Sequence, residues 1–265
     1  MLISSILFAT LLAGIGSVWL AAVLSYFALS RFNQHLLSLA AGALLATAFM
    51  NLLPEAFEGA AKQSIEPHAL FTTLLVGLIF FFLLDKAELY HHGHEHSEHH
   101  DGHGHGHGHA HAHGHAHGHS DGGTWAVLLG DSIHAFGDGV VIAAAFMVSP
   151  QLGWAAALAV LAHEVPHHMG DLIVLGKNKS AALLKVTLAG TVTAIGGMAG
   201  YALLARLSGY LPFFLVVAGS SFIYVALADL IPQLQRRMSI SETLKQVAWL
   251  LAGMGLVMAV SHLSH

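Results

Sequence analysis

Cysteine is absent from this 265-residue chain, and charge is scarce, with Asp, Glu, Lys and Arg making up 9% of residues. The first absence removes disulfides, thiolate metal sites and cysteine nucleophiles together. The second removes the means of covering a water-facing surface, for which a soluble domain uses roughly a quarter of its residues. Hydrophobic residues reach 55% and the mean hydropathy is +0.66, so a lipid bilayer is the natural solvent. The formal net charge of −5 is spread over a few loops and singles out no partner; no nucleic acid is expected. What the chain has in excess is histidine, 23 residues. Any bound metal must be held by imidazole, carboxylate or carbonyl.

A helix needs about 20 mainly apolar residues to cross the hydrocarbon core. Eight runs qualify: 3–29, 36–57, 69–90, 122–148, 153–176, 181–206, 211–232 and 244–263. The first opens MLISSILFATLLAG, with no positive residue before the apolar run, so it reads as a retained span and not a cleaved signal. Strands are excluded, since an open sheet edge cannot face lipid and the runs are too long for barrel strands. The expectation is an all-α integral membrane protein of eight transmembrane helices, one transport domain over 1–265. With the N-terminus outside, the inner side carries Arg31, Lys86, Lys177, Lys179, Lys185, Arg236, Arg237 and Lys245, and the outer side Lys62 and Arg206. That bias places both termini outside the cytoplasm and the loop between spans 3 and 4 inside it. Span 2 ends Asn51-Leu52-Leu53-Pro54 and span 7 ends Asp229-Leu230-Ile231-Pro232, an echo between opposed spans that suits an inverted-repeat transporter.

Ionisable residues at membrane depth are costly and mark function or pairing. Span 4 reads GDSIHAFGDGVVIAAAF, and its Asp131, His134 and Asp138 fall on one helical face. Span 5 reads LAHEVPHHMGDLIVL, with His163 and His167 one turn apart and Glu164 and His168 on a neighbouring stripe. Pro166 is expected to kink this helix and free the Ala162 carbonyl. Facing the two helices gives His134, Asp138, His163 and His167 as four N/O ligands, a set that suits tetrahedral Zn²⁺ and other borderline ions. Structural polar bonding between helices is the competing account of such residues. His168 reads equally as a helix–helix hydrogen-bonding residue or a ligand, and Asp131 and Asp171 as metal contacts or interfacial charges.

Residues 91–119 hold 15 of the histidines in Gly-His and Ala-His steps, after HHGHEHSEHH. Such alternation cannot build a core, so 91–121 is expected to be a disordered cytoplasmic insert. His91, His92, His94, His96, His99 and His100 are its leading metal candidates, as a buffer or sensor on the inner face. A low-complexity linker binding metal incidentally is the plainer reading. Neither makes it the transport site.

At spans 4 and 5 the chain resembles the ZIP family of zinc and iron transporters, its LIV-1-like branch in particular, whose motifs read HNFxDG and HExPHExGD. Here they stand as His134-Ala135-Phe136-Gly137-Asp138-Gly139 and His163-Glu164-Val165-Pro166-His167-His168-Met169-Gly170-Asp171. The likeness extends over the eight spans, the His-rich loop and the LLPEA end of span 2. It implies a primary metal site of His134, Asp138, His163 and His167. It implies also a second site using the residue after the span 4 His and the acid after the first span 5 His. Glu164 keeps that acid, but Ala135 replaces the usual Asn and His168 the usual second Glu. A full binuclear site is therefore not expected, which leaves Glu164 and His168 as a weaker auxiliary pair. The resemblance further implies a homodimer that takes metal up toward the cytoplasm without ATP. Spans 1, 4, 5 and 6 would move against a dimerising scaffold of spans 2, 3, 7 and 8. The cargo is expected to be Zn²⁺, with Fe²⁺, Mn²⁺, Cd²⁺ and Co²⁺ accepted by the same donors. Chain length and the lack of appended domains point to a bacterial inner membrane.

Two other classes compete. His163-Glu164-Val165-Pro166-His167 also fits H-E-x-x-H, the signature of zinc proteases. Pro166 inside that turn and the purposeless second polar helix argue against an enzyme. Proton-coupled exporters of the cation-diffusion-facilitator type share His-x-x-x-Asp pairs, but carry six spans and a soluble C-terminal domain.

Overall fold

The computed structural model describes residues 1–26, 33–93, 121–174, 179–235 and 239–262, and every regular element among them is helical. Lipid enforces this, because only a helix satisfies its own backbone donors and acceptors segment by segment. The first rod joins α1 (Leu2–Leu11), a π segment (Leu12–Gly16) and α2 (Ser17–Tyr26). The second joins α3 (Asn33–Ala46), a π segment (Thr47–Leu52) and α4 (Leu53–Lys62). Then come α5 (Pro67–Gly93), α6 (Asp121–Val148), α7 (Pro150–Val174) and α8 (Lys179–Leu204). A 3-10 turn at Ser208–Tyr210 leads into α9 (Leu211–Tyr224), a π segment (Val225–Leu230) and α10 (Ile231–Leu234), and α11 (Ile240–His262) ends the fold.

Among the described residues, six helices are long and apolar enough to cross a membrane: Leu2–Ser25, Asn33–Lys62, Pro67–Lys86, Ser180–Leu204, Ser208–Leu234 and Ile240–His262. Of the eight expected spans, α6 and α7 fall outside that group; α6 contributes a shorter apolar stretch, Ser132–Val148. The side chains of α6 are described only from Ser132 onward, and α7 carries His163, Glu164, His167 and His168 in its second half. At its C-terminus α5 runs on through His91 and His92 to Gly93, so these two stand on a helix end and not in the loop.

Proline placement explains two of the three π segments. Pro54 and Pro232 have no N–H for the carbonyl one turn back, and the ring crowds it. Just upstream the ladder widens, with Leu53 N–H bonding the Ala48 carbonyl and Ile231 N–H the Ala226 carbonyl. Pro166 behaves differently. It is buried, and α7 runs as an α-helix from Pro150 to Val174 across it, with no π segment beside the proline.

The helices pack as two groups. α1, α2, α6, α7 and α8 lean mainly on one another, and α3, α4, α5, α9, α10 and α11 form the second, with α3 on α11 and α5 on α9. Contacts of α7 with α3 and α11 join them. Small side chains fill the helix contacts: Ala40, Ala43, Ala143, Ala145, Ala155 and Ala159 are fully buried. In lipid, where no hydrophobic force drives helices together, such residues allow the close backbone approach that packing needs. A Cβ at Gly139 of α6 would strike the Thr193 carbonyl of α8, and one at Gly196 of α8 the Phe136 carbonyl of α6.

Candidate metal centre

The turn between α6 and α7 is a single residue, Ser149, whose Oγ accepts the Leu152 N–H at 3.2 Å, with Pro150 opening the next helix. A serine N-cap followed by proline is a compact helix start. The two helices therefore run back antiparallel, and His134 and His163 meet at matching depth, roughly 20 Å from the turn at 1.5 Å per residue. That lies well within a hydrocarbon core of about 30 Å.

One ligand atom each from His134, Asp138, His163 and Glu164 falls within 4.8 Å of every other. His134 Nε2 lies 3.3 Å from His163 Nε2, 3.8 Å from Asp138 Oδ2 and 3.6 Å from Glu164 Oε1. His163 Nε2 lies 3.2 Å from Asp138 Oδ2 and 3.3 Å from Glu164 Oε1. A tetrahedral ion with bonds of ~2.1 Å requires edges of about 3.4 Å. These separations bracket that value.

The donors are also turned the right way. His163 Nδ1 sits 3.1 Å from the Ala159 carbonyl, which only accepts, so the neutral ring carries its proton there and points a lone pair from Nε2 into the cluster. Asp138 Oδ2 and Glu164 Oε1 are buried and receive no hydrogen bond among the described residues. Two buried carboxylates facing lone pairs call for a cation between them. His163, Asp138 and Glu164 are almost wholly enclosed, but His134 is 29% exposed and forms the open corner.

That corner gives onto a cavity of about 480 Å³. His134, His163, Pro166, His167 and Gly170 line it from one group of helices, and Asp85, Ser221, Tyr224, Asp229 and Gln233 from the other. It reaches Asn33, at the start of α3, and so runs to the end of the bundle where α3 begins and α10 finishes. On the opposite side of the cluster, toward Ser149, Ile142 to Phe146 and Ala155 to Ala157 are buried and the helices are closed.

The sequence placed His167 among the four nearest donors and Glu164 beside them. The structure brings Glu164 into the cluster, because its longer side chain reaches around α7 to His163. His167 stands on the cavity wall, its ring centroid 6.0 Å from that of His134. His168 lies behind Glu164, with Nε2 3.1 Å from Glu164 Oε2. The side chains of Asp131, Asp171, His91 and His92 lie outside the described residues, as do His94, His96, His99 and His100 altogether. Sequence reasoning missed Asp85, Tyr224 and Gln233 on the cavity wall and noticed Asp229 only as part of a repeat. Here Tyr224 donates to Asp85 Oδ2 at 3.0 Å and Gln233 to Asp229 Oδ1 at 2.9 Å. An acid inside an apolar span was the available signal.

Comparison with known proteins settles the class. The family described as ZIP zinc transporter matches residues 1–261. The chain belongs to that family. ZIP proteins are transporters and not enzymes, so the H-E-x-x-H text in α7 is no protease signature. Among relatives, zinc transporter foi of Drosophila melanogaster is 33% identical over 141 residues, which is 52% of this chain and 20% of that protein. Zinc transporter ZIP4 of Mus musculus is 37% identical over 138 residues, 50% of this chain and 20% of its own length. Zinc transporter ZIP13 of Pongo abelii is 29% identical over 247 residues, 83% of this chain and 64% of that one. This ZIP chain thus spans about a fifth of the fly and mouse proteins and under two thirds of the third.

Proposed function

We propose that this ZIP chain carries a divalent transition metal, with zinc as the first substrate, across a membrane into the cytoplasm by alternating access. The observation that carries the reading is the four-atom cluster, with its orphaned carboxylate oxygens, at the foot of a cavity that leads to one end of the bundle. The Lys/Arg bias assigns that end to the cytoplasm. The present conformation is therefore inward-facing, and the packed half of α6 and α7 is the closed outer side. His134, Asp138, His163 and Glu164 hold the ion, and His167 receives it on the way out. The names of the relatives, zinc transporters all, support the choice of metal. The N₂O₂ donor set also takes Fe²⁺, Mn²⁺, Cd²⁺ and Co²⁺.

The two packing groups supply the moving parts: α1, α2, α6, α7 and α8 carry the ion against the second group. An inverted repeat underlies the second group. Asn51 and Asp229 occupy the same place in matching π segments ahead of Pro54 and Pro232. Gly253 of α11 packs on Leu39 of α3 as Gly77 of α5 packs on Ser220 of α9. The full reading has eight spans, both termini outside, a bacterial inner membrane and a homodimer joined through the second group.

The test is uptake by intact cells holding a zinc-sensitive dye in the cytosol. Saturable zinc entry is expected with the wild type, and none above background with His134→Ala or Asp138→Ala at equal surface expression. Full entry with either variant would overturn the site. Dye signal falling on expression, with zinc leaving the cell, would overturn the direction.

A further inference from the structure

Behind Glu164 the site continues into a chain of buried polar groups. His168, one turn further along α7, is 1% exposed and reaches Glu164 Oε2 with Nε2 at 3.1 Å and Ser17 Oγ with Nδ1 at 3.0 Å. The Ser17 hydroxyl, itself fully buried, lies 2.6 Å from the Gly14 carbonyl. A carboxylate only accepts, so His168 carries a proton on Nε2 and donates it to Glu164 Oε2, while Nδ1 and the Ser17 hydroxyl share one hydrogen bond. Gly14 belongs to the π segment Leu12–Gly16, and a Cβ on it would strike the Gly190 carbonyl of α8. The first rod is thus clamped at the point where the chain begins. From there Gly14, Ser17, His168 and Glu164 connect in series to the one cluster carboxylate supplied by α7.

We infer that Ser17 and His168 are positioning residues, which fix the Glu164 carboxylate so that Oε1 faces the metal, and that His168 is not a metal ligand. This rests on the metal-site reading above. A ligand must aim a ring lone pair at space an ion can enter. His167 does line the cavity, but His168 does not, and both of its ring nitrogens are turned to protein partners. The ZIP motif usually has Glu at this position, a second carboxylate beside Glu164. The histidine here puts a ring nitrogen against Oε2 where a carboxylate would repel. A carboxylate ligand held by such an outer partner loses affinity for its metal, typically 10–100-fold, when the partner is removed.

Zinc titration calorimetry on the purified full-length protein tests this with His168→Ala, Ser17→Ala, their combination, His168→Gln and His134→Ala. His168→Ala is expected to weaken zinc binding roughly 10–100-fold with unchanged stoichiometry. Ser17→Ala should weaken it less, and the double variant should match His168→Ala alone, because Ser17 acts through the ring. His168→Gln, whose amide N–H can still donate to Glu164, should recover part of the affinity. Loss of one zinc equivalent in His168→Ala, with the remaining affinity intact, would make His168 a ligand and overturn the inference. So would wild-type affinity in both Ser17→Ala and His168→Gln, which carry the test even if His168→Ala does not fold. Wild-type affinity in His134→Ala would instead remove the metal site itself, and the relay with it.

Discussion

At the residue scale, Asp138 and Glu164 govern the energetics of this centre. Each is buried with one oxygen receiving no hydrogen bond, so in the metal-free site only the imidazoles of His134, His163 and His168, 3.1–3.8 Å away, can balance the carboxylates. Replacing the members of a buried charged cluster by neutral groups is commonly neutral or stabilising, by up to about 4 kcal/mol. In the presence of a chelator, Asp138→Asn is therefore expected to unfold at a temperature equal to or above that of the wild type. Zinc at a hundred times its Kd should stabilise the wild type by about 2.7 kcal/mol and leave His163→Ala unmoved. Thermal unfolding with and without zinc checks both, and a metal-free variant clearly less stable than wild type would contradict the first. Protons and metal compete for the same imidazole lone pairs. Zinc affinity should accordingly fall as pH is lowered, in titrations at neutral and at acidic pH. His134, Asp138 and His163 were legible because i, i+4 spacing puts them on facing stripes. That Glu164 stands as close to them was not, because helical angle counts positions and ignores side-chain reach.

At the element scale, the site's geometry depends on how closely α6 lies on α8. Gly139 and Gly196 meet opposing backbone carbonyls, and Phe136, whose carbonyl faces Gly196, is two residues from His134. Gly196→Val should push α6 outward and cost about 1–3 kcal/mol, the usual penalty of overpacking. The expected result is a protein that inserts and purifies but binds zinc more weakly, measured by titration beside a thermal melt. Unchanged binding with a lowered melt would show that α6 adjusts without moving His134. The helices themselves were legible from apolar runs, since length and hydropathy are one-dimensional properties. The π segments were not. The Leu-Pro and Ile-Pro echo marked where they fall, but whether a proline has a π segment beside it or sits within an α-helix, as Pro166 does, is not written in the proline itself.

At the scale of the whole molecule, the two helix groups enclose a cavity that runs from the cluster toward the end of the bundle where α3 begins. Because the chain has no native cysteine, each introduced one is a unique probe. Gln63→Cys, in the turn between α4 and α5, is expected to react with an impermeant maleimide from outside intact cells. Ser239→Cys, before α11, should react only after permeabilisation. Ser221→Cys on the cavity wall should likewise be labelled only from inside while the protein faces inward, and zinc should protect it. Outside labelling at Ser239 would invert the topology and reverse the assigned direction.

The scarcity of charge, the apolar runs and the two polar helices determined that this is a helical membrane protein with His, Asp and Glu gathered on two successive helices, because each is written in composition or in spacing along one helix. Which atoms converge, which carboxylate joins them and which end of the bundle opens were decided by tertiary structure. Those are relations between helices, set by glycine contacts, by a one-residue turn at Ser149 and by the reach of Glu164, and no single segment of sequence contains them.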